Sequence, residues 1–310
     1  MKIVFMGTPE FAVASLKALC NSEHEISGVI TAPDKPAGRG KKIKSSPIKE
    51  FAQNTGLRIL QPLNLKDKQF IDELKEINAD LFVVVAFRML PERVWSLPPK
   101  GTINLHASLL PNYRGAAPIN WAIINGEKIT GITTFFIEKE IDTGKIIMQK
   151  EILIENRNLG ELHDVLMIKG ASLLIKTIKN IDNNTIVPVS QGQLNLSNIK
   201  SAPKINKNTC RINWNMTNDQ IQNHIKGMSP YPGAWTKIFI DERELNFKIF
   251  SCSKSNHSLK PGEIHINNKK FHIGCSIGSI ILAEVQLEGK KRMTIDQFIF
   301  GARITKSNCL

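Results

Sequence analysis

Long apolar segments are missing from this sequence. The longest strongly apolar run, LFVVVAF at 81–87, is far shorter than the roughly 20 residues that a membrane-spanning helix needs. The first residues, MKIVFMGTPEF, lack the basic stretch, long apolar run and small-residue cleavage site of a secretory signal. The sequence therefore predicts a cytoplasmic protein without a membrane segment.

Cysteine pairs and metal-ligand patterns are missing as well. The five cysteines are widely scattered, and none forms a C-x-x-C pair. The seven histidines show no ligand spacing. We therefore expect reduced cysteines, no disulfide framework and no metal site.

Two glycine-containing motifs are incomplete. GTPEFA follows the first apolar segment, but it lacks the second glycine of G-x-G-x-x-G and the lysine of a P-loop. The triplet at 142–144, Asp-Thr-Gly, matches that of aspartic proteases, yet no second copy supplies the other carboxylate that such an enzyme needs. These absences argue against a dinucleotide-binding enzyme and against an aspartic protease.

Basic residues are in excess. Over 310 residues, 41 Lys and Arg stand against 28 Asp and Glu, which gives a net charge of +13. A solvated basic surface is one interpretation, and a polyanionic partner such as nucleic acid is the other. Part of the excess lies in a segment at 34–49 that we call the cationic loop; its basic residues include Lys35, Arg39, Lys41, Lys42 and Lys44.

Apolar periodicity predicts an α/β fold. Short apolar segments typical of strands lie at 2–7, 25–31, 58–62, 79–87 and 102–108. Helical patterns lie between and after them, at 10–20, 47–56, 66–77 and 119–127. A hairpin at 131–154 and a long helix at 158–181 follow. This alternation predicts a doubly wound, Rossmann-like sheet.

Composition divides the rest of the chain. Residues 182–206 are rich in Asn, Ser, Gln and Lys and are interpreted as a linker. From 207 onward, short β-like segments separated by turn residues predict a small, OB-like β-barrel. We expect an α/β catalytic domain at 1–181, the linker at 182–206 and the β-barrel domain at 207–310.

One predicted strand ends on Asn-x-His. Asn104 and His106 lie at i and i+2, so they project from one face at the carboxyl end of the strand, where open α/β sheets hold their catalytic groups. Histidine exchanges protons near neutrality, and an asparagine amide can donate to an oxyanion. A buried pair with a purely structural hydrogen bond is the alternative. Asp142, at the tip of the next hairpin, is the candidate acid.

Several segments resemble a known family. HASLLPNYRGAAPINWAI together with IDTGKI is similar to the folate-dependent formyltransferases. MGTPEFAVASL, the loop TAPDKPAGRGKKIKSSPIK and the C-terminal β part resemble, more narrowly, the branch of that family that formylates methionyl-tRNA. VVAFRMLPE at 84–92 departs from the family pattern, because it is shorter and carries Arg88 where a small residue is expected.

The resemblance implies a reaction and its residues. The formyl group of 10-formyltetrahydrofolate would pass to the α-amino group of initiator methionyl-tRNA, without a metal. The catalytic residues it implies are Asn104, His106 and Asp142, and the tetrahydrofolate contacts are Ser108, Leu109, Leu110 and Pro111. The tRNA contacts it implies are the cationic loop, through Lys35, Arg39, Lys41, Lys42 and Lys44, and the basic β domain. We expect a monomer.

Other functions stay open on the sequence. A related enzyme could use glycinamide ribonucleotide or an amino sugar as acceptor, and a formyltetrahydrofolate hydrolase would use water. None of these needs a cationic loop followed by a basic β domain. A non-catalytic RNA-binding protein would explain the basic charge, but this alternative gives no function to Asn104, His106 and Asp142.

Overall fold

The structure, a computed structural model, describes residues 1–37, 42–193, 198–240, 243–267 and 270–301. The chain forms two compact units. The first consists of Met1–Gly115, Thr130–Leu153 and His163–Ser201, and the second of Ala116–Ile129, Ile154–Leu162 and Ala202–Leu310. Each unit combines segments that are apart in sequence, and the contiguous limits at 181 and 207 stay a prediction.

Strands and helices alternate in the N-terminal third. Its strands are β1 (Lys2–Gly7), β2 (Glu25–Ile30), β3 (Lys35–Ala37), β4 (Lys42–Lys44), β5 (Ile59–Leu60), β6 (Leu81–Val85) and β7 (Thr102–His106). Its helices are α1 (Glu10–Cys20), α2 (Pro47–Asn54), α3 (Lys68–Ile77) and α4 (Glu92–Trp95). The predicted alternation is confirmed, while the apolar pattern gives no sign of β3, β4 and α4.

The middle of the chain adds further elements. Its strands are β8 (Arg114–Gly115), β9 (Ile129–Phe136), β10 (Ile146–Leu153) and β11 (Ser201–Ala202). Its helices are α5 (Pro118–Ile124) and α6 (Leu159–Asp182), and a short 3₁₀ turn spans Gln191–Gln193. Strands β9 and β10 are neighbours in one sheet, as the predicted hairpin requires.

A seven-stranded sheet forms the centre of the first unit, in the order β10-β9-β7-β6-β1-β2-β5. Strand β1 pairs in parallel with both β2 and β6, and β7 is parallel to β6. Because the strand order reverses at β1, the sheet is doubly wound, as predicted. Strand β9 runs antiparallel to β7 and covers its outer edge.

Burial explains why these strands hold their places. Strand β6, with the sequence LFVVV, is buried along its whole length, as expected for a central strand covered on both faces. Its Phe82 and Val84 belong to a core cluster that also contains Phe70 and Leu74 of helix α3. Helix α3 begins after Asp67, whose side chain accepts a hydrogen bond from the Gln69 N–H at 3.2 Å. The carboxyl ends of β6 and β7 are thereby fixed side by side.

The second unit contains an antiparallel sheet. Its strands are β12 (Ala234–Ile240), β13 (Arg243–Ser255), β14 (Ile264–Asn267), β15 (Lys270–Gly274), β16 (Ser279–Leu287) and β17 (Met293–Thr294), and its C-terminal helices are α7 (Asn218–Met228) and α8 (Ile295–Gly301). The strand order is β12-β13-β16-β15-β14, with β17 paired to β16. This sheet confirms the predicted C-terminal β domain.

Helix α7 is an element that the β-like pattern does not predict. Thr217 and Gln220 form a capping box, in which each side chain bonds the other residue's backbone N–H. Ile221, Ile225 and Met228, at helical spacing, are buried in the core of the second unit. The signal for this helix, Thr-x-x-Gln before an apolar i, i+4, i+7 pattern, is present in the sequence.

None of the helices that the structure describes is long and apolar enough to cross a membrane. Within the same residues, no group of three His, Cys, Asp or Glu side chains could hold a metal ion. Cys20, Cys210, Cys252 and Cys275 are free thiols, and Cys309 lies outside the described residues.

Candidate active site

Strand β7 carries the first two residues of the predicted trio. Asn104 is paired with Val84 of β6 on one side and with Phe135 of β9 on the other. Two residues later, His106 ends the strand with only 7% of its surface exposed, whereas Asn104 is half-buried. Within the part of the chain that the structure describes, the Asn104 side-chain amide makes no hydrogen bond. It is therefore a donor still available to a ligand.

Hydrogen bonding determines which nitrogen of His106 can accept a proton. Nε2 lies 2.8 Å from the carbonyl oxygen of Tyr113, and Nδ1 lies 3.7 Å from Oδ2 of Asp142. Because a carbonyl only accepts, Nε2 must carry a hydrogen and donate it to Tyr113. The lone pair of the neutral ring is then on Nδ1, on the side of the carboxylate. When Nδ1 gains a proton, the imidazolium forms an ion pair with Asp142.

Asp142 lies in the turn between β9 and β10, at a backbone φ of 55°. Its Oδ2 accepts a hydrogen bond of 2.9 Å from the backbone N–H of Gly115. Its side chain is only 13% exposed. Two residues later, a Cβ on Gly144 would lie 1.7 Å from the carbonyl oxygen of Phe136, so this turn position requires glycine. The turn brings the carboxylate to the imidazole.

A residue from the predicted linker holds this turn. Gln191, only 1% exposed, donates hydrogen bonds from Nε2 to the carbonyl oxygens of Asp142 (2.9 Å) and Gly144 (2.8 Å). Its Oε1 accepts from Nε and Nη2 of Arg114, at 3.1 and 2.5 Å. Sequence reasoning missed both residues, because a glutamine within a polar, Asn- and Ser-rich stretch carries no local signal of a buried contact.

The segment predicted to contact tetrahydrofolate is held by hydrogen bonds of Ser108 and of Thr133 of β9. Ser108, Leu110 and Pro111 are buried, and only Leu109 is half-exposed. The Ser108 hydroxyl donates to the carbonyl oxygen of Asn112 at 2.7 Å. The Thr133 hydroxyl donates to the Ser108 carbonyl oxygen at 2.7 Å and accepts from the Leu110 N–H at 3.2 Å. These bonds fix the backbone of 108–111 beside His106.

Arg88 has a structural task that the family pattern does not suggest. Its Nη2 and Nη1 donate to the carbonyl oxygens of Pro62 (2.8 Å) and Leu63 (3.1 Å), and its guanidinium lies 5.3 Å from the centre of the Phe87 ring. Partial burial lowers the pKa of Arg88. The buried Nε finds no partner within the described residues. Arg88 thus ties the loop after β6 to the loop after β5.

The described part of the cationic loop consists of two paired strands, β3 and β4, and the first turn of helix α2. Strands β3 and β4 pair antiparallel, with Lys35 opposite Lys44, and both of these side chains are exposed. Asp34 binds Lys49 at 2.5 Å; this bond, together with one from Gln61, lowers the pKa of Asp34. Arg39 and Lys41 lie outside the described residues, and only the backbone of Lys42 is described.

The second unit has a basic, aromatic pocket of about 700 Å³. Lys207 and Arg211 lie over the ring of Trp235, at 5.6 and 5.7 Å from its centre. The indole N–H donates to the Lys207 carbonyl oxygen at 2.8 Å. Further residues that line the pocket include Lys204, Tyr231 and Lys248. Cations beside exposed aromatic surface suit stacked bases and phosphates.

Two family models match this chain along most of its length. Residues 1–178 match the family described as "Formyl transferase", and residues 204–303 match "Formyl transferase, C-terminal domain". The chain belongs to the formyl transferase family.

Two relatives show which branch of the family this chain resembles. It is 50% identical over 304 residues to a protein of Flavobacterium johnsoniae named methionyl-tRNA formyltransferase, an alignment that covers 97% of this chain and 96% of that protein. It is 51% identical over 310 residues to the protein of the same name from Azobacteroides pseudotrichonymphae, covering 97% and 95%.

Solved structures show the same fold. The sugar 3N-formyl transferase WlaRD, crystallised with dTDP and 5-N-formyl-THF, superposes with a TM-score of 0.67 at 24% identity, covering 94% of this chain and 99% of that one. An N-formyltransferase from Helicobacter canadensis gives a TM-score of 0.63 at 23% identity, covering 91% and 98%.

Proposed function

We propose that the protein transfers the formyl group of 10-formyltetrahydrofolate to the α-amino group of initiator methionyl-tRNA. The observation that carries this proposal is the near-50% identity, over almost the whole chain, to proteins named methionyl-tRNA formyltransferase. The geometry of Asn104, His106 and Asp142 supports the same chemistry.

The first step is attack of the neutral amine on the formyl carbon. An α-amino group titrates at a pH of about 8, so an appreciable neutral fraction exists near neutrality. The attack forms a C–N bond and moves the carbonyl electrons onto oxygen. Asn104 donates its free amide hydrogen to this oxyanion, where charge develops in the transition state.

Proton transfer then completes the exchange. Nδ1 of His106, which holds the lone pair, accepts the proton from the attacking nitrogen, and Asp142 at 3.7 Å stabilises the imidazolium. The ring returns this proton to the folate nitrogen as its bond to the formyl carbon breaks. The hydrogen bond from Nε2 to Tyr113 orients the ring so that Nδ1 lies on the side of the Asp142 carboxylate.

The backbone of Ser108–Pro111 forms one wall of the proposed folate site. Because the side chains of Ser108, Leu110 and Pro111 are buried, the half-exposed Leu109 is the side chain of this segment open to a flat ring system. Arg88 fixes the neighbouring loop after β6. In the family pattern, a small residue and aliphatic side chains are expected in this loop.

Two basic surfaces support tRNA as the acceptor. The cationic loop carries Lys35 and Lys44 on its two paired strands, and Arg39, Lys41 and Lys42 lie between them in the sequence. In the second unit, the pocket around Trp235 offers lysines beside an aromatic face. Phosphate contacts of this kind give affinity without reading sequence. The enzyme is proposed to act as a monomer in the cytoplasm, where charged tRNA is used.

Isotope transfer tests the proposal. The protein is incubated with 10-[¹⁴C]formyltetrahydrofolate and equal concentrations of methionyl-tRNA, glycinamide ribonucleotide or an amino-sugar nucleotide. We expect label on methionyl-tRNA at a rate at least 100-fold above the other acceptors. Label on another acceptor, release of formate alone or no loss of label from folate would each refute the proposed acceptor.

A further inference from the structure

The turn that carries Asp142 has one side-chain hydrogen bond of its own, from the Thr143 hydroxyl to the Glu140 carbonyl oxygen at 3.1 Å, and further bonds from outside the turn. Asp142 adopts a left-handed backbone conformation, which costs a non-glycine residue energy. We therefore expect contacts from outside the turn to contribute to the position of its carboxylate beside His106.

Gln191 supplies such contacts, and every hydrogen-bonding position of its side-chain amide is used. A glutamine amide has two N–H donors and an oxygen with two lone pairs. Here both donors bond carbonyl oxygens of the turn, those of Asp142 and Gly144, and the oxygen accepts twice from Arg114. At 1% exposure, Gln191 makes these bonds away from bulk solvent.

These bonds close a ring around the carboxylate. Arg114 is joined covalently to Gly115, whose N–H binds Oδ2 of Asp142 at 2.9 Å. The ring runs from the Asp142 carboxylate to Gly115, Arg114 and Gln191, and back to the Asp142 carbonyl. We propose that Gln191 and Arg114 are positioning residues that hold the Asp142 carboxylate at its distance from His106. This inference rests on the proposed function for its effect on catalysis.

The chemistry explains why an amide is needed at position 191. A carboxylate there could still accept from Arg114, but it would place negative charge against two carbonyl oxygens in a buried site. The turn would shift to relieve this repulsion. A displacement of about 1 Å of a catalytic group can cost roughly 100-fold in rate.

Gln191→Glu is the sharpest variant, since it keeps size and the Arg114 contact but removes both donors to the turn. We expect kcat for formyl transfer to fall about 10- to 100-fold, with KM for folate and tRNA changed less than twofold. Gln222→Glu is the matched control, because Gln222 also donates to a backbone carbonyl, that of Cys252 at 3.2 Å, in the second unit. Equal losses in both variants would overturn the proposal.

Arg114→Met provides a second variant at a half-buried position, which tolerates the loss of a donor better than the buried Gln191. It leaves the Gln191 oxygen without its guanidinium partner. We expect a smaller fall in kcat, about 3- to 10-fold, again with KM unchanged. Wild-type kcat in this variant would remove Arg114 from the positioning pair.

A double-variant cycle separates positioning from general damage. If Gln191 acts through Asp142, Gln191→Glu costs less than twofold in single-turnover rate once Asp142→Asn is present. A full 10- to 100-fold penalty in that background would overturn the proposal.

Amide hydrogen exchange supplies a readout that does not need the reaction. The Gly115 N–H, bonded to Asp142 Oδ2, should exchange at least tenfold faster in Gln191→Glu, while the Val83 N–H in the central strand keeps its wild-type rate. Unchanged Gly115 exchange would overturn the positioning role. Absence of formyl transfer by the wild-type protein would instead refute the proposed function, and the exchange result would still decide the role of Gln191.

Discussion

At the scale of single residues, Asn104 is the proposed hydrogen-bond donor to the oxyanion. Its side-chain amide makes no hydrogen bond within the described residues, although it lies on a strand bonded on both sides. Loss of one oxyanion donor costs about 10²–10³ in rate. We therefore predict that Asn104→Ala lowers kcat for formyl transfer by this factor and leaves the Kd for methionyl-tRNA unchanged.

Steady-state kinetics and filter binding measure these two quantities. Asn104→Asp keeps the shape of the side chain without its N–H donors, and the same loss is expected. Asn54→Ala, at an exposed helix end, is the control and should behave as wild type. Turnover of Asn104→Ala within threefold of wild type would exclude this residue from the oxyanion site.

His224 of α7 gives a prediction about pH and stability. Desolvation by burial lowers its pKa, and its Nε2 is buried without a partner among the described residues. Because the folded state favours the neutral ring, the unfolded state binds more protons. Its contribution to stability is therefore complete above the unfolded pKa of about 6.5 and is lost as pH falls below that value.

Urea unfolding at pH 7.5 and 5.5 checks this expectation. The free energy of unfolding of the wild-type protein should fall between the two values, and His224→Gln should show a smaller fall. An identical pH dependence in both proteins would show that His224 does not carry the effect.

At the scale of elements, the β9–β10 turn is the most constrained connection near the site. A Cβ at Gly144 would lie 1.7 Å from the Phe136 carbonyl oxygen, and backbone cannot yield as a side chain can. We predict that Gly144→Ala lowers the free energy of unfolding by about 3 kcal/mol. Formyl transfer should fall at least tenfold, because the turn also carries Asp142.

Gly56→Ala is the matched control. Gly56 has a φ of 69° with open space around it, so alanine there costs about 1–2 kcal/mol of backbone strain without a clash. Its activity should equal that of the wild type. Thermal unfolding and initial rates of both variants separate the two effects, and full activity in Gly144→Ala would contradict the importance of the turn.

The elements that the sequence predicts are those with strong local patterns. The strand at 79–87 and the helix at 66–77 are found close to the predicted limits, because apolar periodicity reports burial directly. Helix α7 is not predicted, because the segments after residue 207 are mostly β-like and its apolar Ile and Met pattern is short. The contacts of Gln191 cannot be predicted from local sequence, because its partners Gly144 and Arg114 lie 47 and 77 residues away along the chain.

At the scale of the whole molecule, the net charge of +13 predicts a strong effect of salt on tRNA use. Each phosphate contact contributes about −0.7 to −0.9 to the slope of log affinity against log salt. We predict that Arg39→Ala, Lys41→Ala and Lys42→Ala together raise KM for tRNA and flatten this slope by about 2. The KM for folate should not change.

A matched triple variant controls for charge alone. Lys66→Ala, Lys68→Ala and Lys75→Ala remove the same number of basic residues, at exposed positions in and before helix α3, outside the proposed tRNA surfaces. Its salt slope should stay close to that of the wild type. Equal flattening in the two triple variants would mean that net charge, and not the cationic loop, governs tRNA binding.

The place of Gln191 has a consequence for modular engineering of this enzyme. A fragment that ends with α6, at Asp182, would keep all three proposed catalytic residues, Asn104, His106 and Asp142. It would lose Gln191, whose amide donates hydrogen bonds to the carbonyl oxygens of Asp142 and Gly144. A chimaera that joins this α/β module to a new acceptor-recognition domain therefore needs its fusion point downstream of residue 191.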